Sequence, residues 1–557
     1  MNKFKAGLAL GGLALAIWAG LWVSGLLALL LLNGRHVSWE WHTYWAYFSI
    51  RHRPEIAAHV MTIKGAGIVG FGLPLILWVF VVIRFLKPTI RSAHGDARFA
   101  RHGDLSRHGL LQAAGHGIVI GKRRNAFLRL HGTRHALLAA PTRSGKGVGA
   151  VIPNLLTYRD SVVVLDIKQE AFDITSGWRS TQGEVFLFNP FSPDLRTHGW
   201  NPMSYVSDDR SHRTSDLQAI AAILYDDEGQ RDPFWISSAR NCFLAASLYL
   251  FEQWDNERTR GKKCPNGKPT LGRIYRLLSG DGRDLKEHLE GLAMQTFLSA
   301  DARTAFANLT SLADKTLSSV VGTFQAPLHM FLNPVLDKAT SRDSFDLREL
   351  RKKPMSIYVG ISPDKLAESR QILNLFFSQA INQNVRELPD KNPELKHQCL
   401  ILLDEFTALG RVDIIARSIS FLAGYNIRIF TVIQSLSQLD ATYGRDVARS
   451  MVTNLACQII YTPREQRDAN EYSEMLGYTT LRKRNETRTG GRVSRTEVEE
   501  RRALMLPQEL KAMSPDEQII FIEGSPHPIR CRKIRYYKDR FFKERLLPKI
   551  AVPRLGG

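Results

Sequence analysis

The chain runs to 557 residues, 44% apolar and 23% charged, with a formal net charge of +21 and an isoelectric point near 9.8. The length exceeds one ordinary domain of ~100–200 residues. The excess of Lys and Arg points to an anionic partner, nucleic acid or anionic lipid, without choosing between them.

Two long apolar segments open the chain. Residues 6–32 and 65–83 carry no charge, and each is long enough to cross the ~30 Å hydrocarbon core of a bilayer as a helix. The apolar core of a secretory signal is shorter, ~7–15 residues, and no small-residue cleavage site follows the first segment. Residues 1–87 therefore read as a two-helix anchor, with helices about 6–32 and 65–86 and a periplasmic loop about 33–64. Lys3 and Lys5 precede the first span; Arg84, Lys87, Arg91, Arg98 and Arg101 follow the second. Both ends are therefore expected in the cytoplasm. The loop aromatics Trp39, Trp41, Tyr44, Trp45, Tyr47 and Phe48 suit an interfacial belt.

Residues 135–150, HALLAAPTRSGKGVGA, read as a short strand (136–140), a tight loop and the start of a helix. That is the layout of a phosphate-cradling loop: backbone N–H groups wrap the phosphates and a lysine, here Lys146, reaches the terminal ones. Thr142, Arg143, Ser144, Gly145, Lys146, Gly147 and Val148 are the candidate phosphate-binding residues. The usual pattern is G-x-x-x-x-G-K-[ST]. Here Ala140 replaces the first glycine, and Gly147 replaces the hydroxyl that normally holds magnesium, so the metal needs another partner or a water.

Residues 161–165, SVVVL, form a buried-strand run ending in Asp166. Asp166 comes one helix after the loop and is expected on the adjacent strand, as a second contact to a metal or its water. Residues 213–255 and 284–335 show helical periodicity, so 205–335 reads as an all-helical insertion between a strand at 185–188 and one at 356–359. Residues 399–403, CLILL, form another apolar run, ending in Asp404-Glu405. An acid at such a tip can hold Mg²⁺, and a neighbouring Glu can polarise the attacking water. The next strand, 429–433, ends in Gln434, an amide placed to sense a γ-phosphate; ligands of open α/β sheets bind at these carboxyl ends. Residues 481–502, dense in charge around Gly490-Gly491, read equally as a hairpin meeting a phosphate backbone or as a solvated loop. The chain closes on a basic stretch, 530–549, with Tyr536, Tyr537, Phe541 and Phe542. The five cysteines (Cys242, Cys264, Cys399, Cys457 and Cys531) show neither CxxC nor metal-ligand spacing and read as free thiols.

Ordered blocks along most of the chain resemble the coupling proteins of type IV secretion and conjugation systems, the TraG/TraD-like family. They are the two spans, HGDARFA (94–100), APTRSGKGVG (140–149), VVVLDIKQE (162–170), DPFWISSARN (232–241), LILLDEFTALG (400–410), VIQSLSQL (432–439) and ALMLPQEL (503–510). In that family a glycine after the loop lysine is usual. The resemblance implies an α/β fold: a RecA-like P-loop NTPase domain from 88–204 and 336–557, an inserted all-α domain at 205–335, and the two-helix transmembrane anchor. It implies a homo-hexamer beneath the bacterial inner membrane, with ATP and Mg²⁺ as cofactors. By position, Lys146 binds phosphate, Asp404 serves magnesium, Glu405 is the catalytic base and Gln434 senses the γ-phosphate. A ring motor also needs an arginine finger from the neighbouring subunit; Arg428 and Arg417 are the candidates. The implied activity is ATP-driven delivery of relaxase-bound single-stranded DNA, effector proteins, or both, to the inner-membrane components of a secretion channel. An FtsK-like DNA translocase, and a receptor in which ATP controls assembly rather than pumping, remain as alternatives.

Overall fold

The computed structural model describes residues 3–32, 38–86, 93–112, 117–226, 232–261, 267–279, 282, 284–489 and 492–556. The chain divides into two compact units, Met1–Ala93 and His94–Gly557.

In the first unit, helices Lys3–Leu31 and Val60–Leu86 pack against each other. Their segments Leu10–Leu31 and Val60–Arg84 are long and apolar enough to cross a membrane. Without a hydrophobic drive between helices in lipid, close approach depends on small residues. Gly70 meets this need: a Cβ there would lie 2.5 Å from the Ser24 Cα. The outward face is apolar, with Leu73, Ile76 and Phe80 exposed by 63%, 72% and 67%, a surface suited to hydrocarbon rather than water. The second helix starts five residues before the expected 65 and takes in Lys64, because a lysine in the opening turns can extend its ammonium back along the helix. Between the spans lie short helices, Thr43–Ser49 and Pro54–Ala57, and Trp39 donates its ring N–H to the Trp22 carbonyl at 3.0 Å. The start of the loop, 33–37, lies outside the described residues.

The second unit is built on an eleven-stranded sheet. Its strands are β1 (Ile118–Arg123), β2 (Ala126–Leu130), β3 (Ala136–Ala139), β4 (Ser161–Asp166), β5 (Glu184–Phe188), β6 (Met355–Gly360), β7 (Cys399–Leu403), β8 (Ile427–Ile433) and β9 (Cys457–Ile460). A separate ribbon is formed by β10 (Tyr478–Thr489) and β11 (Arg492–Ala503), and the sheet is completed by β12 (Glu517–Ile522) and β13 (Ile529–Arg532). The order is β2-β1-β13-β12-β9-β3-β8-β7-β4-β6-β5. From β9 to β5 all neighbours are parallel; β12, β13, β1 and β2 extend the sheet in antiparallel fashion. Every residue of β3, β4, β6, β7 and β8 is buried, which is why these segments are mostly apolar, with Ser161, Asp166, Ser356, Arg428 and Thr431 buried among them, rather than alternating.

The strand order corrects one expectation. β4 is not beside β3: β8 and β7 lie between them, and β4 pairs with β7 from Ser161↔Cys399 to Leu165↔Leu403. Two strands from much later in the chain take the places next to the loop strand, so Asp404 approaches Lys146 more closely than Asp166 does.

Between β5 and β6 the described residues form helices and 3-10 turns, including Arg210–Leu224, Pro233–Thr259, Ala300–Thr310 and Asp314–Gln325. The DPFW block starts the 27-residue helix: the Asp232 carboxylate accepts from the Phe234 N–H at 3.0 Å, and Pro233 fills the first turn, where no N–H is needed. The charged segment near 481–502 is a ribbon of paired strands from Tyr478↔Ala503 to Thr489↔Arg492, with Gly490-Gly491 outside the described residues. The ribbon root is tied to the HGDARFA block: Thr480 Oγ1 donates to the Gly95 carbonyl at 3.0 Å and the Ala97 N–H to the Tyr478 carbonyl at 3.1 Å.

Candidate functional site

The phosphate loop leaves β3 and doubles back into a helix. The Ala140 N–H donates to the Ile433 carbonyl at 2.9 Å, so the loop starts level with the end of β8. Arg143 (φ 62°) and Gly145 (φ 84°) take left-handed backbone, the conformation from which anion-binding concavities of backbone N–H groups are built, and between them the Ser144 N–H closes the turn on the Pro141 carbonyl at 3.1 Å. Gly147–Val151 is wound as a single π turn, a wider opening than an α turn and one common at functional sites. No Cβ crowds that turn at Gly147, and Gly149 lies against Tyr461, whose hydroxyl would be 2.5 Å from a Cβ.

Three strand tips meet at this loop. Lys146 Nζ is 3.4 Å from Asp404 Oδ1 and forms an ion pair with Glu405 at the tip of β7. Gln434, at the tip of β8, donates from Nε2 to Glu405 Oε2 at 3.0 Å, and Thr142 Oγ1 donates to Gln434 Oε1 at 3.0 Å. The loop, the acid pair and the amide thus form one cluster, joined by the Lys146 ion pairs and the hydrogen bonds of Gln434. Glu405 sits at φ 59°, a strained backbone for a non-glycine residue, of the kind retained at working sites. Burial pushes the Glu405 carboxyl up, but hydrogen bonds from Lys146 and Gln434 outweigh it and hold the group below its ordinary value. Asp404 is raised, chiefly by burial and then by the Glu405 charge against the opposing pull of Lys146.

Asp166 accepts from the Phe172 N–H at 2.7 Å, and burial, with Asp404 nearby, pushes its pKa up to about 7. With the folded value above the unfolded one, its ionisation removes stability as pH rises from about 4 through 7. Asp166→Asn is expected to escape that loss. In thermal unfolding of the nucleotide-free protein, the variant's melting temperature should gain on the wild type between pH 4 and 8; a constant offset would count against the assignment.

Arg428 does not fit the arginine-finger expectation. It is fully buried near the start of β8, donating to the Arg134 carbonyl at 3.1 Å and 3.0 Å and to the Leu130 carbonyl at 3.1 Å. With its side chain 0% exposed and turned inward to these carbonyls, it presents no surface to a neighbouring subunit. Arg417 is exposed on helix Asp413–Ser418.

Several cations at the loop have no local sequence signal. Arg464, after β9, donates to the Thr142 carbonyl at 3.0 Å. Lys533 and Arg535, after β13, approach Ser144 and Gly145. All lie more than 300 residues from the loop in sequence, and only the sheet order brings them there.

The donors fit a nucleotide phosphate. Ser144 Oγ, on the loop itself, is buried without a hydrogen-bond partner among the described residues. Among the described residues no cluster of three His, Cys, Asp or Glu side chains could hold a metal by itself. Asp404, at the tip of β7 beside the loop, offers a carboxylate, and Mg²⁺ takes one or two carboxylates and completes its shell with phosphates and water.

A buried parallel sheet with a phosphate loop after one strand, and an acid pair and an amide on the next two, defines a RecA-like P-loop protein. The model of the family described as Type IV secretory system Conjugative DNA transfer matches residues 98–554, and the chain belongs to that family of type IV coupling proteins. It is 31% identical over 483 residues to Protein VirD4 of Rhizobium rhizogenes, covering 84% of this chain and 69% of that protein. It is 29% identical over 496 residues to Conjugal transfer protein TraG of Escherichia coli, covering 78% of this chain and 75% of that protein. The plasmid coupling protein TrwB in complex with ADP and Mg²⁺ shares the fold at TM-score 0.54 and 18% identity, covering 80% of this chain and 96% of that one. TrwB with the non-hydrolysable ATP analogue ADPNP does so at TM-score 0.55 and 18% identity, covering 80% and 95%.

Proposed function

We propose that the chain is an inner-membrane ATPase that recruits DNA–relaxase complexes, effector proteins, or both, and delivers them to a type IV secretion channel. The observation that carries this reading is the Lys146–Glu405–Gln434 cluster on the phosphate loop, in a chain of the conjugative DNA transfer family. Complexes of TrwB with an ATP analogue and with ADP and Mg²⁺ support the choice of cofactors. Residues 88–204 and 336–557 are assigned to nucleotide handling, and 205–335 to an all-α substrate-receiving domain. The two apolar helices anchor the chain in the membrane, with the N-terminus and the large C-terminal domain in the cytoplasm.

Residues 142–148 hold the phosphates through their N–H groups, and Lys146 exchanges its carboxylate partners for phosphate oxygens. Asp404 would hold Mg²⁺, directly or through water, with Asp166 behind it; when bound, the metal neutralises charge on the phosphates. Glu405, freed from Lys146 and ionised, orients and deprotonates the attacking water. Gln434 links the γ-phosphate position to Thr142 and Glu405. The chains assemble as a hexamer, and a neighbour's Arg417 supplies the finger. Phosphoryl transfer is mostly positioning and charge stabilisation, and this cluster provides both.

In cells carrying the transfer system, the full-length Glu405→Gln variant is expected to retain crosslinkable substrate while transfer falls by about 10²-fold or more. Unchanged transfer would replace the motor with a receptor whose nucleotide only sets assembly.

A further inference from the structure

Three consecutive residues after β13 lie along the phosphate loop. Lys533 Nζ donates to the Ser144 carbonyl at 3.4 Å. A side chain on Gly149 would meet the Ile534 carbonyl at 3.5 Å, and one on Gly145 would meet Arg535 Nη1 at 3.3 Å. Lys533 is only 7% exposed, with its ammonium 3.7 Å over the Tyr461 ring. The strap is anchored away from the loop: the Lys533 N–H donates to the Asp516 carbonyl at 2.8 Å, and Arg535 holds Asp516 Oδ1 at 3.2 Å and 2.8 Å.

When the N–H groups of a phosphate loop turn inward toward an anion, its carbonyls turn outward and need donors of their own. Ser144 presents such a carbonyl and Lys533 supplies the donor. Burying an ammonium is costly unless partners compensate. Burial, then the charge of Arg535, brings the Lys533 pKa down to about 8. The geometry points to Lys533 as a positioning residue for nucleotide: it holds the loop backbone in its phosphate-accepting shape, and the 533–535 strap links that shape to the C-terminal segment. The inference rests on the nucleotide site proposed above.

The test uses the full chain in detergent with Mg²⁺ and a fluorescent ATP analogue, comparing wild type, Lys146→Ala, Lys533→Met and Lys533→Arg. Lys533→Met is expected to weaken binding about tenfold and to raise KM more than it lowers kcat. Lys533→Arg, which keeps a charged donor, should stay within about threefold of wild type. A packing role alone would lower the melting temperature of the unliganded protein without changing affinity per folded molecule. Wild-type affinity in Lys533→Met overturns the inference, as does an equal loss in both Lys533 variants. If wild type and Lys146→Ala both fail to bind, the nucleotide site itself falls and takes the strap with it. Should Lys533→Met not fold, Asp516→Asn, at a side chain 66% exposed, loosens the Arg535 anchor instead. About threefold weaker binding supports the strap, and unchanged binding overturns it.

Discussion

Lys146→Ala is expected to reduce nucleotide hydrolysis by about 10²–10³-fold while leaving the fold intact. Lys146 is the cation at the centre of the cluster, paired with Asp404 and Glu405 when no phosphate is bound. Removing it takes away the charge that meets the terminal phosphates. The carboxylates left behind are not stranded. Gln434 still donates to Glu405 at 3.0 Å, and the upward shift of the Asp404 carboxyl is set mainly by burial, with the Lys146 charge a smaller, opposing influence. The cost in stability should therefore be about 1–2 kcal/mol, a shift of about 1–2 °C in a unit this large. Thermal unfolding beside a phosphate-release assay checks both halves. A variant that hydrolyses normally, or one that is unfolded, would contradict the assignment.

Glu405→Gln separates binding from chemistry. The amide keeps the shape but can neither pair with Lys146 nor take a proton from water. Hydrolysis is expected to fall by about 10²–10⁴-fold, the usual contribution of a general base. Nucleotide affinity should hold or rise, because ATP no longer competes with Glu405 for Lys146. Equilibrium binding together with single-turnover hydrolysis distinguishes this outcome from a binding defect. Parallel losses in affinity and rate would make Glu405 a structural partner of Lys146 and not the base.

The strands at the site were legible because each is a local pattern: a continuous apolar run that stops at a polar residue. β7 occupies 399–403 as read, and β4 and β8 contain the segments read for them, ending at Asp166 and just before Gln434. The order of those strands was not legible. The pairings of β3 with β8 and of β4 with β7 join segments more than 200 residues apart in sequence, so nothing near Asp166 shows that β7 and β8 come between β4 and the loop strand. Arg428 misled for a related reason. A guanidinium at the start of an apolar run resembles a solvated strand end, yet the Arg134 and Leu130 carbonyls satisfy it inside the fold. Lys533 and Arg535 were visible only as part of a basic tail, because the contact that gives them meaning spans 389 residues for Lys533.

The most direct measurement is the ATPase rate of the full chain in detergent or lipid nanodiscs, with and without single- and double-stranded DNA, against Lys146→Ala as background. A Mg²⁺-dependent rate that vanishes in Lys146→Ala and rises several-fold with DNA is the predicted result. A rate unchanged in Lys146→Ala, or no nucleotide turnover under any of these conditions, would contradict the ATPase at the centre of this account.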